Sequence, residues 1–480
     1  MNYKLILQTI GKILLIEALL MVFPLAINFI YQENNLFAFA LTISILMVVG
    51  TLLIRIKPKH KTMFIREGFI IVGLAWIVLS LFGALPFTLS GEIPNYIDAV
   101  FETVSGFTTT GASILNDVEA MSKSMLFWRS FTHWIGGMGV LVFILAVLPN
   151  SEGQNIYLLK AESTGPQVGK LVSKVRFTAR ILYIIYFGIT ALEVVLLLLG
   201  NNTWFESIVM AFGTAGTGGF GIYADSVGSF SIYSQVVIAV FMMIFGINFN
   251  LYYLAIIGKI KQAIKSEELR WYLGIIFVST VMITANLVIN LNQTFTIALK
   301  DAYFQVSSII TTTGFATVDF NLWPTFSKTI LLIIMFIGGC AGSTGGGIKV
   351  SRIIILGKSL KREVQKLLHP NSVAPIKMEG EAIDSNVVKG VNVYFAFIIV
   401  LLAAGTLLVS FDGLDFTSTF TGVVACINNI GPGLNLVGPM GNFDCFSYFS
   451  KIILSALMLV GRLEVYPILI LFLPKTWTGK

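Results

Sequence analysis

Long apolar runs separated by short polar segments dominate the chain from one end to the other. A helix rising 1.5 Å per residue needs about 20 apolar residues to cross a hydrocarbon core of about 30 Å. On that measure the pattern predicts spans at roughly 10–31, 36–56, 68–89, 126–149, 179–199, 230–257, 271–291, 328–348 and onward, 388–410 and 449–473, ten in all. The first run lacks a small-residue cleavage site and passes directly into the second, so it reads as a retained helix rather than a removed leader. The first two spans stand as a pair and the other eight fall into four couples. Between the members of each couple lies a shorter apolar segment, at about nine residues too short to cross.

Each short segment runs into a glycine-centred turn. The four turns read Gly106-Phe107-Thr108-Thr109-Thr110-Gly111-Ala112, Ala215-Gly216-Thr217-Gly218-Gly219-Phe220, Ile310-Thr311-Thr312-Thr313-Gly314-Phe315 and Asn428-Asn429-Ile430-Gly431-Pro432. Gly111, Gly219, Gly314 and Gly431 are 108, 95 and 117 residues apart, a long-period internal repeat. Thirteen residues before the glycine stand Asp98, Glu206 and Asp301, while the fourth unit has Ser418 there and Asp415 three residues earlier. The predicted units are an N-terminal helix pair (1–62) and repeats at 63–150, 151–262, 263–370 and 371–480.

Irregular backbone is tolerated at membrane depth only where protein buries it or it lines a water-filled cavity. An acid near the N-terminus of a short helix suits the helix dipole, whose negative C-terminal end then favours a cation near the turn. The acids are equally well explained as ordinary helix-terminus residues. Backbone carbonyls gathered round an axis can replace the hydration shell of an ion such as potassium, and glycine lets them turn inward because it takes positive φ without a Cβ clash. Threonine adds a hydroxyl acceptor and a stiff χ1.

Composition agrees with a membrane protein: 56% hydrophobic and 12% charged residues, with a mean hydropathy of +0.84. The formal charge of +7 does not point to nucleic acid, because the basic residues collect in alternate connecting segments. Arg55 to Arg66 holds five, Lys160 to Arg180 five, Lys259 to Arg270 four and Lys349 to Lys389 eight. The intervening segments contribute only Lys123, Lys300 and Lys328, so the basic side and both termini are expected in the cytoplasm. Cys340, Cys426 and Cys445 lack metal-ligand spacing, and His60, His133 and His369 lie in different segments. No enzymatic constellation emerges, no Rossmann fingerprint is present, and no cofactor is expected.

With these turns go Trp128-Arg129-Ser130-Phe131-Thr132-His133-Trp134-Ile135-Gly136-Gly137-Met138-Gly139, Gly342-Ser343-Thr344-Gly345-Gly346-Gly347-Ile348-Lys349 and Gly461-Arg462-Leu463-Glu464. Taken together, over nearly the whole chain, they resemble the Trk/Ktr/HKT superfamily of potassium transporters, and the extra N-terminal pair resembles its TrkH-type membrane subunits. The resemblance implies an all-α integral membrane fold, with four helix–pore-helix–helix repeats around one pseudo-fourfold pore. Thr109, Thr110, Gly111, Thr217, Gly218, Gly219, Thr312, Thr313, Gly314, Asn429, Ile430 and Gly431 would form a potassium selectivity filter. Glycine at all four filter positions is associated with potassium, and serine at the first with sodium in plant relatives. Ile430 and Pro432 depart from the pattern of the other turns and make the fourfold symmetry imperfect.

The resemblance further implies a homodimer in the cytoplasmic (inner) membrane, on a cytosolic ring of nucleotide-binding, TrkA-like regulatory subunits. The segment Gly338-Gly339-Cys340-Ala341-Gly342-Ser343-Thr344-Gly345-Gly346-Gly347 has six glycines in ten residues. At about 0.8–1 kcal/mol per interior glycine it should unwind. By resemblance Gly338, Gly339, Gly342, Ser343, Thr344, Gly345, Gly346 and Gly347 form an intramembrane gate under the filter, with Arg462 the charge that meets it. Close helix packing through small residues is the competing reading of the glycines. For Arg462 the competing reading is pairing with Glu464 or snorkelling to the interface. Potassium uptake through a channel-like pore is the expected activity, and sodium- or proton-coupled symport is its alternative.

Overall fold

The computed structural model describes residues 1–58, 64–139, 175–370 and 375–478. The expected boundaries at 62/63 and 150/151, His60, and most of the basic segment Lys160 to Arg180 lie outside the described residues. Within them the regular structure is helical except for one short hairpin, Lys377–Met378 paired with Glu381–Ala382.

The N-terminal pair comprises α1 (Tyr3–Leu20), continued through Met21 by α2 (Val22–Ile30), and α3 (Leu36–Ile54). Small residues let α1 and α3 approach: a Cβ on Gly11 would lie 2.8 Å from the Gly50 carbonyl oxygen. The first unit is α4 (Ile65–Gly83) with α5 (Leu85–Ser90), then α6 (Tyr96–Phe107) and α7 (Lys123–Gly137). The second is α8 (Val175–Leu199), α9 (Trp204–Gly216), α10 (Ile232–Phe245), α11 (Phe249–Ile256) and α12 (Ile260–Ile264). The third is α13 (Glu267–Leu291), α14 (Phe295–Ile310), α15 (Thr325–Ile337) and α16 (Val350–Leu368). The fourth is α17 (Ser385–Val409), α18 (Phe416–Ile427), α19 (Tyr448–Arg462) and α20 (Tyr466–Phe472).

Six helices among the described residues are long and apolar enough to cross a membrane: Tyr3–Ile30, Leu36–Ile54, Arg66–Ser90, Ala179–Leu199, Glu267–Leu291 and Ser385–Asp412. They are the N-terminal pair and the first long helix of each unit. The second members of the second and fourth couples, read from sequence as single spans, are instead interrupted. That of the third breaks at the glycine run where the sequence predicts unwinding. That of the first ends its helix at Gly137, and beyond residue 139 its expected span lies outside the described residues. α7 stops at Gly137, α10 and α11 meet at 91°, α15 stops before Gly338 at φ 77°, and α19 stops before Glu464 and Val465 at φ 55° and 73°. Their apolar runs continue past the break, so hydropathy alone hides it.

The breaks follow from crowding beneath the four turns. A Cβ on Gly136 would fall 1.9 Å from the Phe107 carbonyl oxygen, and one on Gly461 would fall 2.0 Å from that of Ile427. Helix ends and turn backbones therefore share a space that admits no side chain. Strong N-terminal stops set where the short helices begin: Asn95, Thr203 and Asp415 each accept a backbone N–H of the following turn.

Candidate cation pathway

The four turns have one backbone conformation. Two residues before the glycine, Thr109, Thr217, Thr312 and Asn429 are left-handed at φ 54°, 55°, 60° and 55°, and the glycines follow at 80°, 76°, 88° and 95°. The amide just before each glycine donates back into the short helix: Thr110 to Ser105 O at 2.8 Å, Gly218 to Gly213 O at 2.8 Å, Thr313 to Ser308 O at 2.9 Å and Ile430 to Ala425 O at 2.9 Å. A left-handed threonine costs about 1–2 kcal/mol. Such strain, repeated three times with asparagine as the fourth, marks a conformation held by its surroundings.

The turns close into a ring through these same residues. A Cβ on Gly111 would sit 2.0 Å from Gly218 O, one on Gly219 2.0 Å from Thr313 O, one on Gly314 2.2 Å from Ile430 O and one on Gly431 2.8 Å from Thr110 O. Each glycine thus makes room for the carbonyl that precedes the glycine of the next turn, and the fourth turn returns to the first. All four glycines line one cavity of about 160 Å³ together with Arg129 and Pro432. The twelve residues expected from sequence are therefore brought together.

Side chains differ between turns for local reasons. His133 Nδ1 donates to Gly106 O at 2.7 Å, and its ring would lie 2.3 Å from a Cβ at position 218, so the second turn carries Gly218 where the first and third carry threonine. In the fourth turn Asn429 Nδ2 donates to Thr110 Oγ1 and to Met458 O, both at 2.9 Å, tying it to the first turn and to α19. Thr110 also shares a hydrogen bond with Thr108 at 2.8 Å, as Thr313 does with Thr311.

The expected acids do not form one set. Asp98 is in the first turn of α6 and pairs with Lys451 at 2.7 Å. Glu206 closes a capping box with Thr203 and accepts the Tyr223 hydroxyl at 2.5 Å, a bond that pushes the tyrosine up to about 12. Asp301, expected near a helix start, is buried well inside α14 because that helix begins earlier, at Phe295. In the fourth unit Asp415 itself is the N-cap, accepting Ser418 N at 2.9 Å and Ser418 Oγ at 2.6 Å.

Directly against the third and fourth turns lies the glycine-rich loop between α15 and α16. Gly346 N donates to Thr312 Oγ1 at 2.6 Å, and a Cβ there would meet Asn428 O at 2.5 Å. Other bonds pin the loop to the break in the second unit: Cys340 N to Gly246 O at 2.9 Å, and Phe249 N to Gly342 O at 3.0 Å. Arg462, buried, donates to Thr344 O at 2.7 Å, Gly136 O at 2.6 Å and Gly137 O at 2.9 Å. One guanidinium thus joins the loop to the C-terminal end of α7, and residues 338–347 are loop rather than helix.

Besides Arg462, three further charges anchor this loop, and sequence reasoning missed them. Lys349 and Arg352, which fall in a basic segment expected in the cytoplasm, are both buried. Lys349 Nζ donates to Gly345 O. Arg352 pairs with Glu464 at 2.5 Å, so Glu464 has Arg352 as a partner. Glu268 Oε1 accepts Ala341 N at 2.7 Å and Ser351 N at 3.0 Å, gripping both ends of the loop. A basic residue closing a glycine run, and an acid opening an apolar helix, were the available signals.

An all-helical membrane protein whose short and interrupted helices bring four glycine turns into one buried ring is the class this architecture defines. A family model, TrkH, described as cation transport protein, matches residues 35–478. The Trk system potassium uptake protein TrkH of Escherichia coli (strain K12) is 36% identical, over 99% of this chain and 100% of that protein. TrkG of the same organism is 33% identical, over 97% of each. The crystal structure of the potassium transporter TrkH from Vibrio parahaemolyticus matches with a TM-score of 0.89 at 33% identity, covering 99% of this chain and 100% of that one. The chain belongs to the TrkH family of cation transport proteins.

Proposed function

We propose that the chain takes up potassium across the cytoplasmic membrane through a pore whose selectivity filter is the ring of four turns. The observation that carries this reading is the cyclic contact of Gly111, Gly219, Gly314 and Gly431 with the carbonyls of Gly218, Thr313, Ile430 and Thr110. Four carbonyls in one ring are the chemistry that replaces a hydration shell, and a Cβ at any of the four glycines would clash with them. The names of the relatives support potassium as the ion. Four repeats, each a long helix, a pore helix and an interrupted helix, surround this axis after an N-terminal pair, ten membrane passages in total, with both termini on the basic, cytoplasmic side.

On the same reading the loop 338–347 is a gate, held against the filter by the Gly346–Thr312 bond and by Arg462. The cytosolic basic segments dock a nucleotide-binding regulatory subunit, and two copies of the chain form a dimer. Rubidium or potassium uptake into liposomes holding the purified chain alone tests the proposal. Saturable uptake that follows the potassium gradient supports it, and absence of uptake defeats it. A reversal potential moved by a sodium or proton gradient replaces the channel with a coupled symporter.

A further inference from the structure

Beside the first turn lies an ion pair that the pore reading leaves unexplained. Glu102 stands on α6 nine residues before Gly111, and Arg129 stands on α7. Arg129 Nε donates to Glu102 Oε1 at 2.5 Å, and the two residues are 3% and 1% exposed. Both side chains bond further to the chain leaving the turns. Glu102 accepts Ser113 Oγ at 3.0 Å and Ile114 N at 3.0 Å. Arg129 Nη1 donates to Gly221 O at 3.0 Å, and its guanidinium lies 3.6 Å from the centre of the Phe220 ring. Ser113 and Gly221 are each the second residue after their turn's glycine, so the pair stitches the exit of the first turn to that of the second. Between those exits Gly111 rests against the Gly218 carbonyl.

The protein contains its own controls. Counting back nine residues from the other glycines gives Met210, Gln305 and Gly422, all buried. Arg129 is seven residues past the Ser122 cap, and seven past the caps Ser231, Pro324 and Ser447 stand Ile238, Leu331 and Leu454, each 0% exposed. The fold fills this position without a charge three times out of four. A buried ion pair is seldom a net gain over apolar residues of similar size, because desolvation offsets the attraction. Stability therefore does not account for the pair, whereas a rigid, hydrogen-bonded link between two neighbouring turns does.

We propose that Glu102 and Arg129 are positioning residues for ion discrimination, clamping the first turn to the second so that their carbonyls keep the spacing that favours potassium over sodium. The proposal rests on the potassium-filter reading above. Its test replaces the pair with the residues of the second unit, Glu102→Met with Arg129→Ile, in the full chain reconstituted in liposomes. The readouts are thermal stability and the sodium concentration that half-inhibits rubidium uptake. The expected result is a folded protein that still takes up rubidium but is inhibited by about tenfold less sodium, a change of about 1.4 kcal/mol. Unchanged inhibition overturns the proposal, and so does loss of folding, which would make the pair a stability element. Arg129→Lys supplies an independent check: it keeps the charge but lacks the fork that reaches Glu102 and Gly221 together. It should lower discrimination without lowering the melting temperature, and native discrimination in this variant also overturns the proposal. If the native chain takes up no rubidium, the filter reading fails; if it does and both variants discriminate normally, only the clamp fails.

Discussion

Alanine at the four turn glycines gives a graded expectation that can be worked from the coordinates. A Cβ is not tolerated closer than 3.0 Å to another heavy atom, and the nearest carbonyl oxygens lie at 2.0 Å for Gly111 and Gly219, 2.2 Å for Gly314 and 2.8 Å for Gly431. The facing carbonyl must therefore retreat by about 1 Å, 1 Å, 0.8 Å and 0.2 Å respectively. Functional oxygens must be held within about 0.5 Å of their working positions, so the first three substitutions exceed the tolerance and the fourth stays inside it. All four also put a Cβ at positive φ, at about 1–2 kcal/mol each, a cost common to the series that cannot produce the gradient. Rubidium uptake under increasing sodium should show discrimination collapsing for Gly111→Ala, Gly219→Ala and Gly314→Ala, by about tenfold or more, and holding closer to native for Gly431→Ala. Equal loss at all four positions, or the greatest loss at Gly431, would refute the assignment of these carbonyls to ion coordination.

Three other expectations concern the loop and a helix cap. Gly346→Ala places a Cβ 2.5 Å from Asn428 O, which should push the loop off the turns and raise basal rubidium uptake; an unchanged or lower rate in folded protein contradicts a gate. Arg462→Gln removes charge-assisted bonds to Thr344, Gly136 and Gly137, each worth about 1.5–3 kcal/mol. It should raise basal uptake about tenfold or more if those bonds hold the closed loop. Asp415→Ala removes the cap of α18 and should cost about 0.5–2 kcal/mol. The Asp415 carboxyl is held below its ordinary value of 3.8 by its hydrogen bonds to Ser418. Its contribution is therefore complete above that value and is lost as pH falls through the lower, folded value. Melting temperatures of native and Asp415→Ala protein should accordingly differ at neutral pH and converge in acid below the ordinary value; a constant difference rules the cap's charge out.

What could be read from residues alone divides along a physical line. Periodic burial against lipid is written in composition, so the six continuous helices were legible, as were the glycines, whose positive φ and missing Cβ are properties of the residue itself. The left-handed Thr109, Thr217 and Thr312 were not, because nothing in a β-branched side chain favours that conformation; the ring imposes it. The breaks after α10 and α19, and the end of α7 at Gly137, were hidden for a related reason, whereas the glycine run after α15 announced its own. Glycine is common in membrane helices and breaks one only when neighbours supply partners for the freed backbone. Those partners here are distant in sequence: Arg462 for Gly136 and Gly137, Glu268 for Ala341, and Gly246 for Cys340. Charge was the least legible, since a count of lysines and arginines by segment cannot tell Lys349, bonded inside the loop, from a solvated residue of the same segment. Unwound backbone at membrane depth exposes carbonyls that need donors, so charges adjoining a glycine run mark such a site. Lys349, Arg352 and Arg462 are cationic donors to this segment, to the carbonyls of Gly345, Ile348 and Thr344 in turn.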